Sequence, residues 1–319
     1  MKHFAAAAAC LLFASIAAAQ GAYPNKPIRL VVPYSPGTGS DVLARTVAQN
    51  ITEKTGHTVI VENREGAGSL IGSLAVAKAA PDGYTIMIAA NTLVILPSQS
   101  ARPPYDPAKD FTPIVKVAAI PLVLAVTPSL KINSVKELIA YAKAHPGKLS
   151  YGSSGPGPAV NEMELFKQAV GIEVVEIPYK STAQAMTDLI GGQLPLFPAV
   201  GPLVLPHLQS GRAKGLAIFD TKRSPQMPDL PSMSEEVSVP GYVPTAVWYG
   251  FVAPAKTPPE IVATLSGWIQ NAMAAPEVRS RLVTLGAQIT VADSAQFAAE
   301  IRSEYEKSSA LARRLGTVR

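Results

Sequence analysis

The sequence contains a single cysteine, Cys10, among 319 residues. Beyond that position disulfide bonds are excluded, so the fold must be stabilised by a buried hydrophobic core. Hydrophobic residues make up 48% of the chain and charged residues only 16%, which is typical of a globular protein. About 300 residues are enough for two lobes, since a single core stops growing near this length.

Charged and aromatic residues are also scarce. Lys and Arg number 28 against 23 Asp and Glu, a net charge of +5, and no basic run is longer than Arg313 and Arg314. With only 6% aromatic residues, this distribution argues against a nucleic-acid surface. The four histidines form neither an HExxH motif nor another spaced ligand set, and no GxxxxGK phosphate loop occurs. We therefore predict no metal, no cofactor and no nucleic-acid partner.

The first 20 residues are organised like a secretory signal peptide. A basic start at Lys2 precedes an apolar stretch that begins at Phe4 and ends in the alanines of residues 17–19. This order predicts a signal peptide over residues 1–19, cleaved near Gln20, and a mature protein outside the cytoplasmic membrane, in the periplasm. A transmembrane anchor would need about 20 strongly apolar residues, and this Ala-rich run is shorter.

Strands and helices alternate after this leader. Runs rich in β-branched residues occur at Arg29–Pro33, Thr58–Glu62 and Thr85–Ala90, with helical patterns at Asp41–Thr55 and Ser69–Ala80 between them. Such alternation predicts a parallel sheet with helices on both faces.

The chain is predicted to leave this first lobe and return to it once. Thr92–Pro113 has no clear period and is predicted to be a surface excursion, whereas Ile114–Val126 is a strand that leads out. An aromatic-rich strand at Val247–Ala253 brings the chain back, and the remainder is predicted to be helical. The resulting lobes are residues 23–123 with 248–319, and residues 124–247.

The second lobe repeats the alternation. A capping box at Ser134–Glu137 starts a helix that ends before Pro146. Further strands and helices are predicted at Leu149–Gly152, Ala159–Ala169, Val174–Ile177, Thr182–Ile190, Leu194–Phe197, Leu203–Gln209 and Lys214–Phe219. The predicted fold is α/β with two lobes, each a mostly parallel sheet flanked by helices, joined by two crossing strands.

Glycine-bearing loops follow the predicted strands of the first lobe. The loop PYSPGTGSD spans Pro33–Asp41, and a second loop spans Asn63–Ser69. Ligands bind at the carboxyl ends of parallel strands, where glycine lets the backbone approach an anion and the next helix N-terminus favours it. Ser40 or Asp41 is predicted to cap that helix, with ligand contact in addition. The second loop also fits a plain strand-to-helix connection.

The complete candidate site adds Asn91 and Thr92 after the third strand, and two loops of the second lobe, YGSSGPGP and PYKSTA. Small hydroxylated residues and exposed backbone orient a ligand without chemistry, although YGSSGPGP also fits a flexible turn. The predicted ligand-binding residues are Tyr34, Pro36, Gly37, Thr38, Gly39, Ser40, Asp41, Ala67, Gly68, Asn91, Thr92, Ser153, Ser154, Gly155, Pro178, Tyr179, Ser181, Thr182 and Ala183.

Catalysis has little support. Ser153 and Ser154 follow Gly152, but Pro156 stands where a GxSxG elbow needs its last glycine. A serine hydrolase is therefore a minor alternative to a binding protein. A ligand sensor for a membrane kinase is a second alternative that the sequence does not separate from a transport receptor.

Several segments resemble the substrate-binding proteins of tripartite tricarboxylate transporters, the Bug or TctC family. The matching segments are VPYSPGTGSD, VENREGAGSLIG, AAPDGYT, YDPAKDFTPI, IPYKSTA, RSPQMPDLPSMSEE, WYGFVAPAKTPP and LGAQ. The resemblance implies a type II periplasmic binding fold and a non-catalytic, monomeric receptor for a di-, tri- or aromatic carboxylate, which it delivers to membrane permease subunits. It also implies that backbone amides of Pro36–Ser40 and Ala67–Gly68 hold the carboxylate, and that the second-lobe loops contact the rest.

The chain departs from the family pattern at three places. Thr38 and Ser181 stand where the family usually has glycine, and QLPLFPA at residues 193–199 replaces the usual QVDLMFD, so both acidic positions are lost. These changes disfavour a ligand with an amino group or a metal–citrate complex. We expect a more apolar carboxylate, of which an aromatic acid is one example.

Overall fold

Two mixed β-sheets, each flanked by helices, organise the chain. The computed structural model describes residues 23–155, 157–240, 242–244, 246–284, 286–316 and 318. The predicted signal peptide and its cleavage near Gln20 lie outside these residues. Within them, no helix combines the length and the apolar character needed to cross a membrane.

The first sheet has the strand order β11-β4-β10-β3-β1-β2. Its strands are β1 (Ile28–Val32), β2 (Val59–Asn63), β3 (Thr85–Ala90), β4 (Phe111–Ile120), β10 (Val247–Pro254) and β11 (Gln288–Ala292). Its helices are α1 (Gly39–Thr55), α2 (Leu70–Ala77), α3 (Thr92–Ser98), α9 (Pro259–Ala274), α10 (Pro276–Thr284) and α11 (Ser294–Leu315).

The second sheet has the order β7-β6-β8-β5-β9. Its strands are β5 (Leu122–Val126), β6 (Leu149–Ser153), β7 (Val174–Pro178), β8 (Leu196–Val200) and β9 (Lys214–Ile218). Its helices are α4 (Val135–Ala144), α5 (Pro158–Val170), α6 (Thr182–Ile190), α7 (Gly201–Gln209) and the short α8 (Met233–Glu236).

The two-lobed α/β prediction is confirmed, but the sheets are mixed rather than mostly parallel. β1 pairs in parallel with β2 and β3, and β6 with β7 and β8. The antiparallel pairs involve β10, β11 and β5. β5 and β10 are the strands on which the chain enters each sheet from the other one, and therefore they run against their neighbours.

Hydrophobic side chains cover both faces of each sheet. In the first sheet one face packs on α1 and α9, and the other on α3 and α11. In the second, α4 and α5 cover one face, and α6 and α7 cover the other. This sandwich arrangement explains why β3 and β5 are buried along their whole length.

The chain changes sheets at Pro121, which separates β4 from β5. The predicted single strand Ile114–Val126 is therefore two strands in two sheets. The return strand β10 pairs with β4, so that Val247 lies opposite Ile120. The predicted lobe boundaries at 123/124 and 247/248 lie within a few residues of these crossings and stay a prediction.

Two segment predictions are wrong. The supposed surface excursion Thr92–Pro113 contains α3, whose Leu93 and Val94 are buried, as is Tyr105 farther along. A seven-residue helix with Pro97 inside it is too short and too irregular to show a clear period. The supposedly all-helical C-terminal region contains β11, a half-buried edge strand on β4.

Candidate functional site

The first strand ends in a loop that leads directly into α1. The helix begins at Gly39, two residues before the predicted start, and its N-cap is Thr38, whose side chain accepts from the Asp41 amide at 3.4 Å. The prediction that Ser40 or Asp41 caps the helix is therefore wrong. The loop itself turns at Gly37, whose φ of +82° is a conformation that favours glycine.

The buried side chain of Asp41 stabilises this loop through hydrogen bonds. Its carboxylate accepts from the Gly37 amide at 2.9 Å, Arg45 Nε at 3.0 Å and Asn63 Nδ2 at 2.8 Å. Burial alone would raise the pKa of Asp41, but the hydrogen bonds from Arg45, Gly37 and Asn63 outweigh it and hold that pKa below its usual range. With the residue only 3% exposed and its carboxylate oxygens engaged, Asp41 supports the loop rather than facing a ligand.

A chain of hydroxyl groups joins the three predicted loops of the first lobe. Tyr34 Oη lies 2.7 Å from Thr92 Oγ1, which accepts from Ser69 Oγ at 3.0 Å. Burial raises the pKa of Tyr34 to about 12, so its hydroxyl is neutral at physiological pH. The three loops thus form one polar surface at the edge of the sheet.

The second loop has an unusual backbone. Gly66, Ala67, Gly68 and Ser69 have consecutive φ values of +131°, +46°, +69° and +100°. Alanine and serine rarely adopt positive φ, and such strain persists where the surrounding structure imposes it, often at binding sites. Ala67 and Gly68 are exposed there, while the Ser35 hydroxyl donates to Glu65 and ties the two loops together.

Tyr249 is a member of this surface that the sequence did not assign to the site. The crossing strand β10 carries its hydroxyl to the start of α1, where it hydrogen-bonds Ser40. A Cβ at Gly39 would lie 3.3 Å from that oxygen. Burial raises the pKa of Tyr249. The sequence feature that could have assigned Tyr249 to the site is its position in an aromatic-rich strand that returns from the second lobe.

Asn91 has a structural position rather than one that faces a ligand. It is 2% exposed; its Oδ1 accepts from the Trp248 amide at 2.9 Å, and its Nδ2 donates to Glu304 at 2.7 Å. Trp248 Nε1 donates to the other oxygen of Glu304 at 2.6 Å. This network binds β3, β10 and α11 together beside the crossing.

In the second lobe, Ser153 is buried and Ser154 is exposed. The Ser153 hydroxyl donates to the Glu176 carboxylate of the adjacent strand, and its carbonyl accepts from the Tyr179 amide at 2.7 Å. Gly155, with φ +102°, turns the chain toward α5. Ser154 is thus the exposed hydroxyl of the pair.

The PYKSTA loop also contains both side chains that are hydrogen-bonded within the lobe and side chains that are exposed. Tyr179 donates to Asp188 at 2.9 Å, and Ser181 is the N-cap of α6, accepting from the Gln184 amide at 3.3 Å. Both side chains therefore stabilise their own lobe. Pro178, Thr182 and Ala183 are exposed, and Thr182 faces the cavity described next.

A cavity of about 270 Å³ opens beside these loops. Its polar side chains are hydroxyls, from Thr92 of the first lobe and Ser153, Ser154 and Thr182 of the second. The rest of the lining is glycine or apolar: Leu122, Gly155, Gly157, Pro158, Ala159, Val160, Phe197, Pro198, Ala199, Val200, Leu203 and Val247. None of these described residues is charged. The sequence prediction found the hydroxyls but missed the hydrocarbon wall, because its members belong to strands and helices rather than to loops.

The described residues of the site do not form the serine–histidine pair of a hydrolase. His57 stacks on Trp268 and His145 on Tyr141, while His207 lies in α7, so the hydroxyl of Ser153 is paired with a carboxylate and not with an imidazole. In the described part of the chain, no group of three or more His, Cys, Asp or Glu is arranged to hold a metal ion.

Comparisons with known proteins agree with this arrangement. The family model of the tripartite tricarboxylate transporter family receptor, TctC, matches residues 43–317. Protein BugT of Bordetella pertussis is 35% identical over 297 residues, which cover 92% of this chain and 90% of BugT.

Solved structures show the same similarity in three dimensions. An R. palustris protein solved with adipate is 34% identical, with a TM-score of 0.72 over 92% of this chain and 98% of that one. MatC from Rhodopseudomonas palustris, solved with bound malate, is 26% identical, with a TM-score of 0.71 over 91% and 100%. The resemblance carried by the sequence motifs is thereby confirmed, and the chain belongs to the tripartite tricarboxylate transporter receptor family, whose members are periplasmic solute-binding proteins and not enzymes.

Proposed function

We propose that the protein captures a small carboxylate in the cleft between its lobes and delivers it to the membrane subunits of a tripartite transporter. The observation that carries this proposal is the cavity between the lobes, whose described lining is uncharged and whose polar side chains are hydroxyls. Its first-lobe member, Thr92, is hydrogen-bonded to Tyr34 and Ser69 of the two glycine-bearing loops. The adipate and malate found in two related structures support a carboxylate as the ligand class.

The carboxylate would bind to the first lobe. Gly39 and Ser40 lie in the first turn of α1, where amide N–H groups have no partner within the helix and the helix dipole favours an anion. Ala67 and Gly68 present a second stretch of exposed backbone across the loop. Neutral N–H donors can hold a carboxylate without a buried cation, which would itself be costly to desolvate.

Capture would proceed by hinge closure. The lobes are joined at Pro121 and through the segment that leads into Val247, and these crossings lie beside the cavity. Rotation about two such connections brings loops of both lobes onto one ligand. Neither lobe alone would then bind well.

The cellular setting follows from the same proposal. The signal peptide would direct the chain to the periplasm and be cleaved near Gln20, leaving a monomer that meets permease subunits at the membrane. A sensor feeding a membrane kinase would use the same site, but no contact in the structure favours it.

Calorimetry with adipate, malate, citrate and benzoate tests the proposal. At least one acid is expected to bind, and to raise the melting temperature by mass action. Gly39→Val places a branched side chain against the Tyr249 hydroxyl and over the α1 amides, and should raise Kd by more than tenfold. Gly267→Val on α9, where a Cβ has no neighbour within 4 Å, is the matched control and should leave Kd unchanged.

Two results would contradict the proposal. If no carboxylate bound to the folded wild-type protein, the ligand class would be wrong. If the Gly39 and Gly267 variants bound the acid equally well, the first-lobe location would be wrong.

A further inference from the structure

We propose that the ligand is a monocarboxylate whose remaining part is an uncharged hydrocarbon, and that the second-lobe wall of the cavity selects it. This inference rests on the proposed function, because it assumes that the first lobe holds the single acid group. It narrows the ligand class from carboxylates in general to those with an apolar far end.

The wall is built at the carboxyl end of β8. Phe197 and Ala199 are nearly inaccessible, and Pro198, Val200 and Leu203 continue the surface into α7. Leu122 and Val247 extend it to the two crossings. Burying apolar ligand surface against such a wall is favourable by roughly 25 cal/mol per Å².

Several backbone and hydroxyl donors near this wall are absent or already used, which leaves the hydroxyls of Ser154 and Thr182. At the start of α7, the Gly201 amide donates to the Pro121 carbonyl at 2.8 Å, and Pro202 has no N–H. At the start of α6, Ser181 caps the Gln184 amide. α5 starts with Pro158, which again has no N–H to offer. A second carboxylate would therefore meet two hydroxyls but no cation among the lining residues.

The ionisable side chain that Ser153 contacts is acidic rather than basic. Ser153 donates its hydroxyl to Glu176, so the lining is backed by a carboxylate at that point. Moving a second carboxylate out of water into this region costs desolvation and adds repulsion from Glu176. A methyl or ring terminus avoids both costs.

The size of the cavity suits a short acid. The cavity of about 270 Å³ is several times larger than the roughly 30 Å³ that one water molecule occupies in the liquid. A six-carbon acid fits within this volume. Hexanoate and adipate form a matched pair of this length, since they differ only in the second carboxylate.

Calorimetry of the wild-type protein with hexanoate and adipate tests the inference. Hexanoate is expected to bind at least tenfold more tightly than adipate. Equal affinity, or tighter binding of adipate, would overturn the inference while leaving the proposed function intact. Failure of both acids, and of malate, citrate and benzoate, to bind would instead overturn the proposed function and this inference with it.

A pair of variants at Ala199 provides a second test. Ala199→Asp places a charge on the wall and should weaken hexanoate binding at least tenfold, whereas Ala199→Asn, of the same size but neutral, should weaken it only a few-fold. Circular dichroism verifies that both variants are folded. Equal losses in two folded variants would show that the wall does not discriminate by charge and would overturn the inference. If neither variant folds, the hexanoate-to-adipate ratio of the wild-type protein decides.

Discussion

The two faces of the cleft differ in chemistry although they arise from the same architecture. The first-lobe face consists of loops joined by hydroxyls, with Tyr34, Thr92 and Ser69 in one hydrogen-bonded chain. The second-lobe face is largely hydrocarbon, and its helix starts contain Pro158 and Pro202. Equivalent strand ends therefore do not imply equivalent roles: one face suits an acid group, and the other suits what is attached to it.

The largest effect is expected beside the crossing between the sheets, at Glu304, which is hydrogen-bonded to Asn91 and Trp248. Burial raises the pKa of Glu304 from 4.5 to about 7, although hydrogen bonds from Trp248 and Asn91 favour its charged form. Because the folded-state pKa lies above the unfolded one, its stabilising contribution is complete below about pH 4.5 and is lost as pH rises through 7. The associated change in unfolding free energy is about 3 kcal/mol.

Urea unfolding at pH 5 and pH 8 measures this contribution. Glu304→Gln should show a smaller drop in stability between the two pH values than the wild type, by up to about 3 kcal/mol. An identical drop in both proteins would mean that Glu304 is not the titrating group. The hexanoate-to-adipate ratio at fixed pH should stay the same, because Glu304 belongs to neither face.

Asp41 provides the next largest effect, and it lies behind the polar face. Asp41→Asn removes the charge that accepts from Gly37, Arg45 and Asn63, and should destabilise the protein by about 2 kcal/mol. The stability that the wild-type carboxylate confers is present at neutral pH and is lost as pH falls through its lowered pKa. Glu53→Gln, at an exposed position on the same helix, is the control and should have little effect. Equal urea midpoints for the two variants would contradict the role of Asp41.

A pair of isosteric variants compares the two faces directly. Thr92→Val breaks the hydroxyl chain to Tyr34 and Ser69 and should weaken carboxylate binding by about 1 kcal/mol, roughly fivefold. Thr182→Val changes the same group on the hydrocarbon face and should alter Kd by less than twofold. Equal losses at both positions, measured by calorimetry, would remove the distinction between the faces.

The smallest effect is expected at Lys180. This exposed residue lies within the PYKSTA loop but does not line the cavity. Lys180→Ala should leave Kd within twofold at physiological ionic strength. A large loss that disappears in high salt would show that a cation takes part in holding the acid, against the account of neutral donors.

Sequence patterns predicted the parts of the fold whose periodicity is long and whose ends are marked. α6 has the predicted bounds Thr182–Ile190, α1 and α5 end at the left-handed glycines Gly56 and Gly171, and Asp293 caps α11 within a full capping box. The patterns failed for α3 and β11, since a seven-residue helix around a proline and a half-buried edge strand carry little periodic signal.

The candidate site was predicted to the level of its loops but not of its side chains. Which of two neighbouring residues faces the cleft depends on tertiary contacts, such as those that engage Asn91 and Tyr179 elsewhere. Tyr249 and the wall around Phe197 reach the cleft only because the chain crosses between lobes and β8 ends there. Sequence patterns over a few residues contain no information on the position of Tyr249 or of this wall relative to the cleft.

A crystal structure with saturating hexanoate tests directly whether the first lobe holds the carboxylate and the second lobe the alkyl chain. The carboxylate oxygens are expected within hydrogen-bonding distance of the amides of Gly39 or Ser40 and of Ala67 or Gly68, with the alkyl chain against Phe197 and Leu203. A carboxylate bound instead at the start of α5, near Ala159 and Val160, with the alkyl chain directed to the first lobe, would contradict it.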